Sequence, residues 1–396
     1  NTQVFVDGGD PIGGLPGGGD TLIVEGPAIG VVTSGPQNDE GSVDLPGPEQ
    51  SISFDRIESV VDQSTGAGTA IIVGTDGNDV ITITAIDNFT IQTPGGPVNV
   101  ADGVEDYIVT INDGPAQVYI DKPMANIFAL DGDDRVVVDA PAPRSDALCV
   151  TVDLLDGSPG ASDTVVIETP GSQDVTFRPL DHDSSLVIVG TSFAVISDAV
   201  EHVVYDGQGG TDNVIIEAQS DSEFEFQPGA AADAGSVRGE TTGGTSLVTF
   251  DYENIGVGAN LTFAAAGGSI VGLDIHGRAG ADVLAGTAGN DRFEVAPDGD
   301  VQIFKFGGPA PQSVNIETTG VQQFVRLLGL EGDDTFNIPG DVSIGAGASL
   351  IVQGGDPSAG SDVLNFIGSG GNISDNVSDP MAPIIQELPG APVAYV

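Results

Sequence analysis

Apolar residues in this chain fall in short alternating runs and not at helical spacing. Val-Ile-Thr-Ile-Thr at 80–84, Tyr-Ile-Val-Thr-Ile at 107–111, Cys-Val-Thr-Val at 149–152, Leu-Val-Ile-Val at 186–189 and Leu-Val-Thr-Phe at 247–250 are of this kind. Each sets β-branched or aromatic residues on one side of a pleat. Clusters of Gly, Pro, Asn and Asp, the chemistry of turns, lie between them. The pattern predicts an all-β protein.

The punctuation itself recurs. VGTDGNDVITI stands at 73–83, LDGDDRVVV at 130–138, YDGQGGTDNVIIE at 205–217, GRAGADVLAGTAGNDRFEV at 277–295 and LEGDDTFNI at 330–338. Looser forms occupy 7–24, 153–168 and 353–366. Each supplies glycine where the backbone needs positive φ, then an Asp or Asn that closes the turn, then a strand. The offsets are ordered: GTDGND to GTAGND is 286 − 74 = 212, LDGDD to LEGDD is 330 − 130 = 200, and Asp163 to Asp362 is 199. Two copies of one module are expected at about 70–170 and 282–370, with an N-terminal segment 1–69, an intervening module 171–281 and a joining tail 371–396. The two ends also match, VFVDGGDP from Val4 with LIVQGGDP from Leu350, and LPG at 45–47 with LPG at 388–390. Stacked, β-solenoid-like repeats account for short strands and Gly/Asp corners; tandem β-sandwich modules are the alternative.

Composition narrows the function. With 396 residues and 39% hydrophobic content the chain has enough apolar surface for a core, yet 59 acids face 10 bases for a net charge of −49. Such an anion lacks the basic patch that nucleic acid requires and the cationic surface that anionic lipid attracts. Divalent cations or high salt would relieve its self-repulsion, and saline adaptation gives the same composition. No run of about 18 apolar residues is present, so membrane insertion is not expected. The single cysteine, Cys149, excludes an internal disulfide and reads as a buried small residue. The chain opens Asn-Thr-Gln-Val without an initiator Met, which suits an exported, processed product.

The nonapeptides GRAGADVLA and GTAGNDRFE, Gly277 to Glu294, resemble the haemolysin-type (RTX) calcium-binding repeat G-G-x-G-x-D-x-U-x. The resemblance implies calcium held between stacked turns by Asp282 and Asp291, with Asn290 beside them and Phe293 facing the core. Arg278 and Thr287 replace the second glycine, and there is only one tandem pair. The single copy from Gly74 adds Asp76 and Asp79, and Asp133, Asp134, Asp333 and Asp334 are the carboxylates of the shorter Gly-Asp-Asp forms. One turn supplies too few oxygens for an ion that wants six to eight, so capping of the turn by Asp or Asn is the competing account of each.

Catalytic patterns are missing: His182, His202 and His276 are scattered, and no nucleophile elbow, zinc-spaced set or phosphate loop occurs. The sequence therefore reads as a non-enzymatic extracellular structural protein. It would be a subunit or segment of a surface filament or layer, joined head-to-tail to copies of itself and stabilised by calcium. Thr2, Gln3, Val4, Phe5 and Val6 would form the joining strand. An adhesin stalk that recognises a glycan or surface receptor is the alternative, and a β-helix polysaccharide enzyme the third reading.

Overall fold

The structure is a computed structural model. It describes residues 4–9, 20–24, 31–35, 39–45, 51–57, 59–62, 68–86, 90–93, 96–99, 106–112, 114–140, 148–154, 162–191, 193–256, 258–276, 290–305, 314–318, 320–330, 332–344, 348–355, 362–368, 372–376, 384–388 and 393–395. The described residues form strands and no helix, and apart from a two-stranded hairpin, Thr90–Thr93 with Gly96–Asn99, the strands belong to two large sheets rich in parallel pairs. By their contacts they group into two units, Asn1–Pro170 with Asp183–Val204, and Gly171–His182 with Tyr205–Val396.

In the first unit successive segments alternate between the sheets. One sheet is ordered Val4–Asp7, Ile52–Asp55, Gly41–Asp44, Val31–Ser34, Thr69–Val73, Met124–Phe128, Leu148–Asp153, Phe193–Asp198, Ser185–Val189. The other is ordered Thr21–Val24, Ser59–Asp62, Ala116–Tyr119, Asp106–Ile111, Val80–Ile86, Arg135–Asp139, Thr164–Glu168. Strands of successive coils pair parallel, and antiparallel pairs mark the places where three consecutive strands fold back on one another.

The second unit is built alike. Its first sheet is ordered Asp174–Pro179, Asn213–Ala218, Asn260–Ala265, Asn315–Glu317, Val301–Lys305, Asp291–Val295, Thr335–Pro339, Val363–Ile367. Its second is ordered Thr249–Glu253, Gly235–Thr241, Ser222–Pro228, Ile270–His276, Val321–Leu328, Ser349–Gln353, Val393–Tyr395, Ile384–Leu388, Asn372–Asn376. Parallel pairing between coils is the signature of a β-solenoid-like stack, and the antiparallel sandwich alternative does not produce it.

The core follows from the register. Ile72, Ile127 and Val152 are Cα partners in one sheet, as are Ile83, Val138 and Ile167 in the other, and all six are 0% exposed. Parallel strands about 4.8 Å apart bring such side chains into contact along the stack, each contributing roughly 1.5–3 kcal/mol of burial. In the second unit Phe293 and Phe336 are register neighbours whose rings stack at 4.8 Å. A slip of one residue would turn every such ladder outward.

The order of segments shows a longer repeat than the sequence comparison reached. From Val4 to Asp198 the chain runs two strands, three folded-back strands, two strands, three, four strands, three, with one small hairpin at 90–99 inserted. From His202 to Tyr395 the same order returns without that hairpin. The chain is thus two copies of one module, and the matched segments 70–170 and 282–370 are its later parts.

Candidate functional site: the Gly/Asp corners

The corners carry the repeated residues, and in each the last Asp before the strand folds back over the first glycine. At Gly74–Asp79, Asp79 Oδ2 accepts the Thr75 N–H at 2.6 Å, while Oδ1 accepts the Thr75 hydroxyl at 2.9 Å and Asn112 Nδ2 at 2.7 Å. A Cβ on Gly74 would lie 2.4 Å from Asp79 Oδ2; the matching distances are 2.2 Å for Gly207 and Asp212, 2.3 Å for Gly329 and Asp334, and 2.1 Å for Gly354 and Asp362. Glycine is therefore set by the carboxylate that occupies the place of its side chain. Leu130 and Leu330 adopt φ 77° and 69°, followed by Gly132 and Gly332 at 154° and 144°, so the two Gly-Asp-Asp corners share one conformation.

The same Asp also joins one coil to the next. The Asp79 N–H donates to Asp134 Oδ1 at 2.7 Å, Asp134 N–H to Asp163 Oδ1 at 2.7 Å, and Asp163 N–H to Glu201 Oε2 at 2.8 Å. In the second copy Asp291 N–H donates to Asp334 Oδ1 at 2.8 Å and Asp334 N–H to Asp362 Oδ1 at 2.9 Å. The preceding residue returns a bond in the opposite direction. Asp133 N–H reaches Asn78 Oδ1 at 3.0 Å, Ser162 N–H reaches Asp133 Oδ1 at 3.2 Å, and Asp333 N–H reaches Asn290 Oδ1 at 2.9 Å. Gln173 and Thr211 repeat the exchange with Asp212 Oδ1 and Ser172 Oγ at 2.6 and 3.0 Å. Each Asn-Asp or Asp-Asp pair is thus a reciprocal staple between coils. It satisfies backbone N–H groups that a corner otherwise leaves without a ladder partner.

Stacking carboxylates has an electrostatic cost. Burial raises Asp334 from 3.8 to about 7, opposed by the Asp291 N–H and reinforced by the charges of Asp291, Asp362 and Asp333. Burial raises Asp134 to about 6, with Asp79, Asp133 and Asp131 adding to it. Asp212 is raised to about 6 by burial, against the lowering effect of the Gln173 N–H and the Tyr205 hydroxyl. Among the described residues, Oδ2 of Asp134 and of Asp334 is buried with no hydrogen-bond donor. Asp79, by contrast, has donors on both oxygens.

The expected metal residues separate into two groups. Asp79 and Asp134 in the first unit, and Asp291 and Asp334 in the second, are buried and aligned from coil to coil, with Asn78 and Asn290 beside them. Asp76 and Asp133 are exposed and Asp333 half-buried. Asp282, with most of the tandem nonapeptides, lies outside the described residues, as do Thr2 and Gln3. Among the described residues no three His, Cys, Asp or Glu side chains converge on a point that would hold a metal. At Asp134 and Asp334 Oδ1 accepts an N–H and Oδ2 has no donor, so each side chain leaves one oxygen toward the six to eight that calcium takes. The carboxylates of the described corners by themselves supply fewer oxygens than a calcium cage.

Sequence reasoning passed over Asp20, Asp163, Asp212 and Asp362 as site residues. Their signal is positional, an Asp immediately before each strand that follows a glycine corner. Cys149 is half-buried and not buried, because Leu148 and Val150 on either side take the core-facing positions. His182 is exposed beside Asp181, its Nδ1 3.3 Å from the carboxylate, and His202 is half-buried at the start of its strand. Comparison with protein-family models, with curated proteins and with solved structures finds no match to this chain.

Proposed function

We propose that this chain is a structural protein, an extracellular module that builds a filament or layer by adding further copies of itself end to end. The observation that carries the reading is the identity of construction between the first corner of each copy. The Gly8 N–H donates to Asp55 O at 3.0 Å and the Gly207 N–H to Glu253 O at 3.0 Å. Gly9 N–H donates to Asp7 Oδ1 at 3.0 Å and Gln208 N–H to Asp206 Oδ1 at 2.9 Å. Arg56 and Asn254 occupy φ 58° and 55° and bond those same carboxylates, Asp7 and Asp206. A module whose beginning is made in the same way as the segment that follows its own first copy is suited to following another. The acidic surface keeps such an assembly soluble and limits lateral association.

Calcium belongs to this reading as a ligand of the tandem nonapeptides around Asp282, not of the described corners. An adhesin role would call for a recognition surface besides the stack. The test is electron microscopy with sedimentation velocity on purified protein in millimolar calcium. Regular end-to-end polymers support the proposal, and a monomer at every concentration overturns it.

A further inference from the structure

We infer the joint itself: strand Val363–Ile367 of one molecule takes strand Val4–Asp7 of a second copy of this chain as its next parallel neighbour. Strand Thr21–Val24 of that second copy then lies beside Asn372–Asn376. The inference rests on the end-to-end reading above and adds its register.

The two edges are unfinished in a specific way. Among the described residues Val4–Asp7 pairs with Ile52–Asp55 alone, and Val363–Ile367 with Thr335–Pro339 alone. These two strands hold four of the exposed large hydrophobics, Val4 at 40%, Phe5 at 62%, Val363 at 43% and Ile367 at 56%. Their counterparts in the interior of the chain are closed. Val165 and Ile167 are fully buried where Leu364 and Phe366 are half-buried, and Val203 and Tyr205 are buried where Val4 and Val6 are not.

The register comes from the same chain. At three described corners the residue two after the staple's first member donates its N–H to the Asp carbonyl of the adjacent coil. Arg135 does so to Asp79 at 2.8 Å, Thr164 to Asp134 at 2.9 Å and Val363 to Asp334 at 2.8 Å, and at a fourth corner Asn213 donates to the Gln173 carbonyl at 2.8 Å. In the first unit Asp163 O accepts the His202 N–H at 3.1 Å, and Asp163 N–H is held by Glu201. Asp362 corresponds to Asp163 and Asp7 to Asp206, both at an offset of 199, so Val4 corresponds to Val203 and Leu364 to Val165. Val4 then faces Leu364, Phe5 faces Asn365 and Val6 faces Phe366. The parity is right. Leu364 and Phe366 continue the buried column of Phe336 and Ile338, and Val6 sits in register with buried Phe54. For the pair Asn372–Asn376 and Thr21–Val24 the template is Asp174–Pro179 beside Asn213–Ala218, whose sequence DNVIIE from Asp212 matches DTLIVE from Asp20. Asp20 thereby takes the stapling place of Asp212.

The test is disulfide trapping in a Cys149→Ser background. Phe5→Cys with Asn365→Cys should give a ladder of disulfide-linked multimers on mild oxidation, because parallel neighbours about 4.8 Å apart are within disulfide reach. Phe5→Cys with Glu223→Cys should give none. Sedimentation of the unmodified protein is run alongside. Polymers without the Phe5–Asn365 ladder overturn the register and leave end-to-end assembly standing. A protein that stays monomeric and gives no ladder overturns both.

Discussion

Removing the charge of Asp334 while keeping its shape tests what the corner carboxylates are for. Asp334 is fully buried, its Oδ1 accepts the Asp291 N–H, and its Oδ2 has no donor. Burial holds it at about 7 against an ordinary 3.8. The folded state therefore binds this proton more tightly than the unfolded state. Its contribution to stability is fully present below pH about 4 and is lost as pH rises through about 7. At 1.36 kcal/mol per pH unit, that gap amounts to roughly 4 kcal/mol against the folded state above pH 7. Asp334→Asn keeps an oxygen for the Asp291 N–H and cannot ionise. It should raise the unfolding free energy read from guanidinium denaturation by roughly 2–4 kcal/mol at pH 8, and by no more than about 1 kcal/mol at pH 4.5. Circular dichroism at both pH values, in chelator, reads the result. Asp334→Asn less stable than wild type at pH 8 would refute the reasoning. If that loss appeared only with calcium, the carboxylate would be a metal ligand after all.

Other outcomes follow from the same geometry. Gly329→Ala places a Cβ 2.3 Å from Asp334 Oδ2 and 2.5 Å from Gly354 O, and should cost about 1–3 kcal/mol in denaturant unfolding. Gly243→Ala, with nothing nearer than 3.6 Å, should cost a few tenths at most. Phe336→Ala removes the ring stacked on Phe293 and leaves a cavity between coils, for a loss of about 3–5 kcal/mol by the same assay. Asp282→Asn should abolish any calcium-dependent rise in melting temperature, whereas Asp134→Asn should leave that rise intact, as calorimetry with and without chelator will show. Ile367→Glu should weaken polymer growth in sedimentation without lowering the melting temperature, since this side chain is exposed on an edge strand and the new carboxylate would face Asp7 of the next copy.

Local residue chemistry determined a good deal by itself. Alternating Val, Ile and Phe, with no helical spacing, dictated strands; Gly and Asp dictated corners; and the ordered offsets disclosed a duplication. These are short-range properties, fixed by φ preferences and by side-chain to backbone bonds within a few residues. What the Asp residues do was decided only in three dimensions. Asp79, Asp134 and Asp163 are 55 and 29 residues apart along the chain, yet each accepts or donates across one coil spacing. A carboxylate near glycines and other acids looks the same in sequence whether it awaits an ion or an N–H. The difference lies in whether oxygens converge on a point or line up along a stack. Parallel register lines them up, and the full length of the repeat, obscured in sequence by unequal loops, becomes visible through the order in which strands pair.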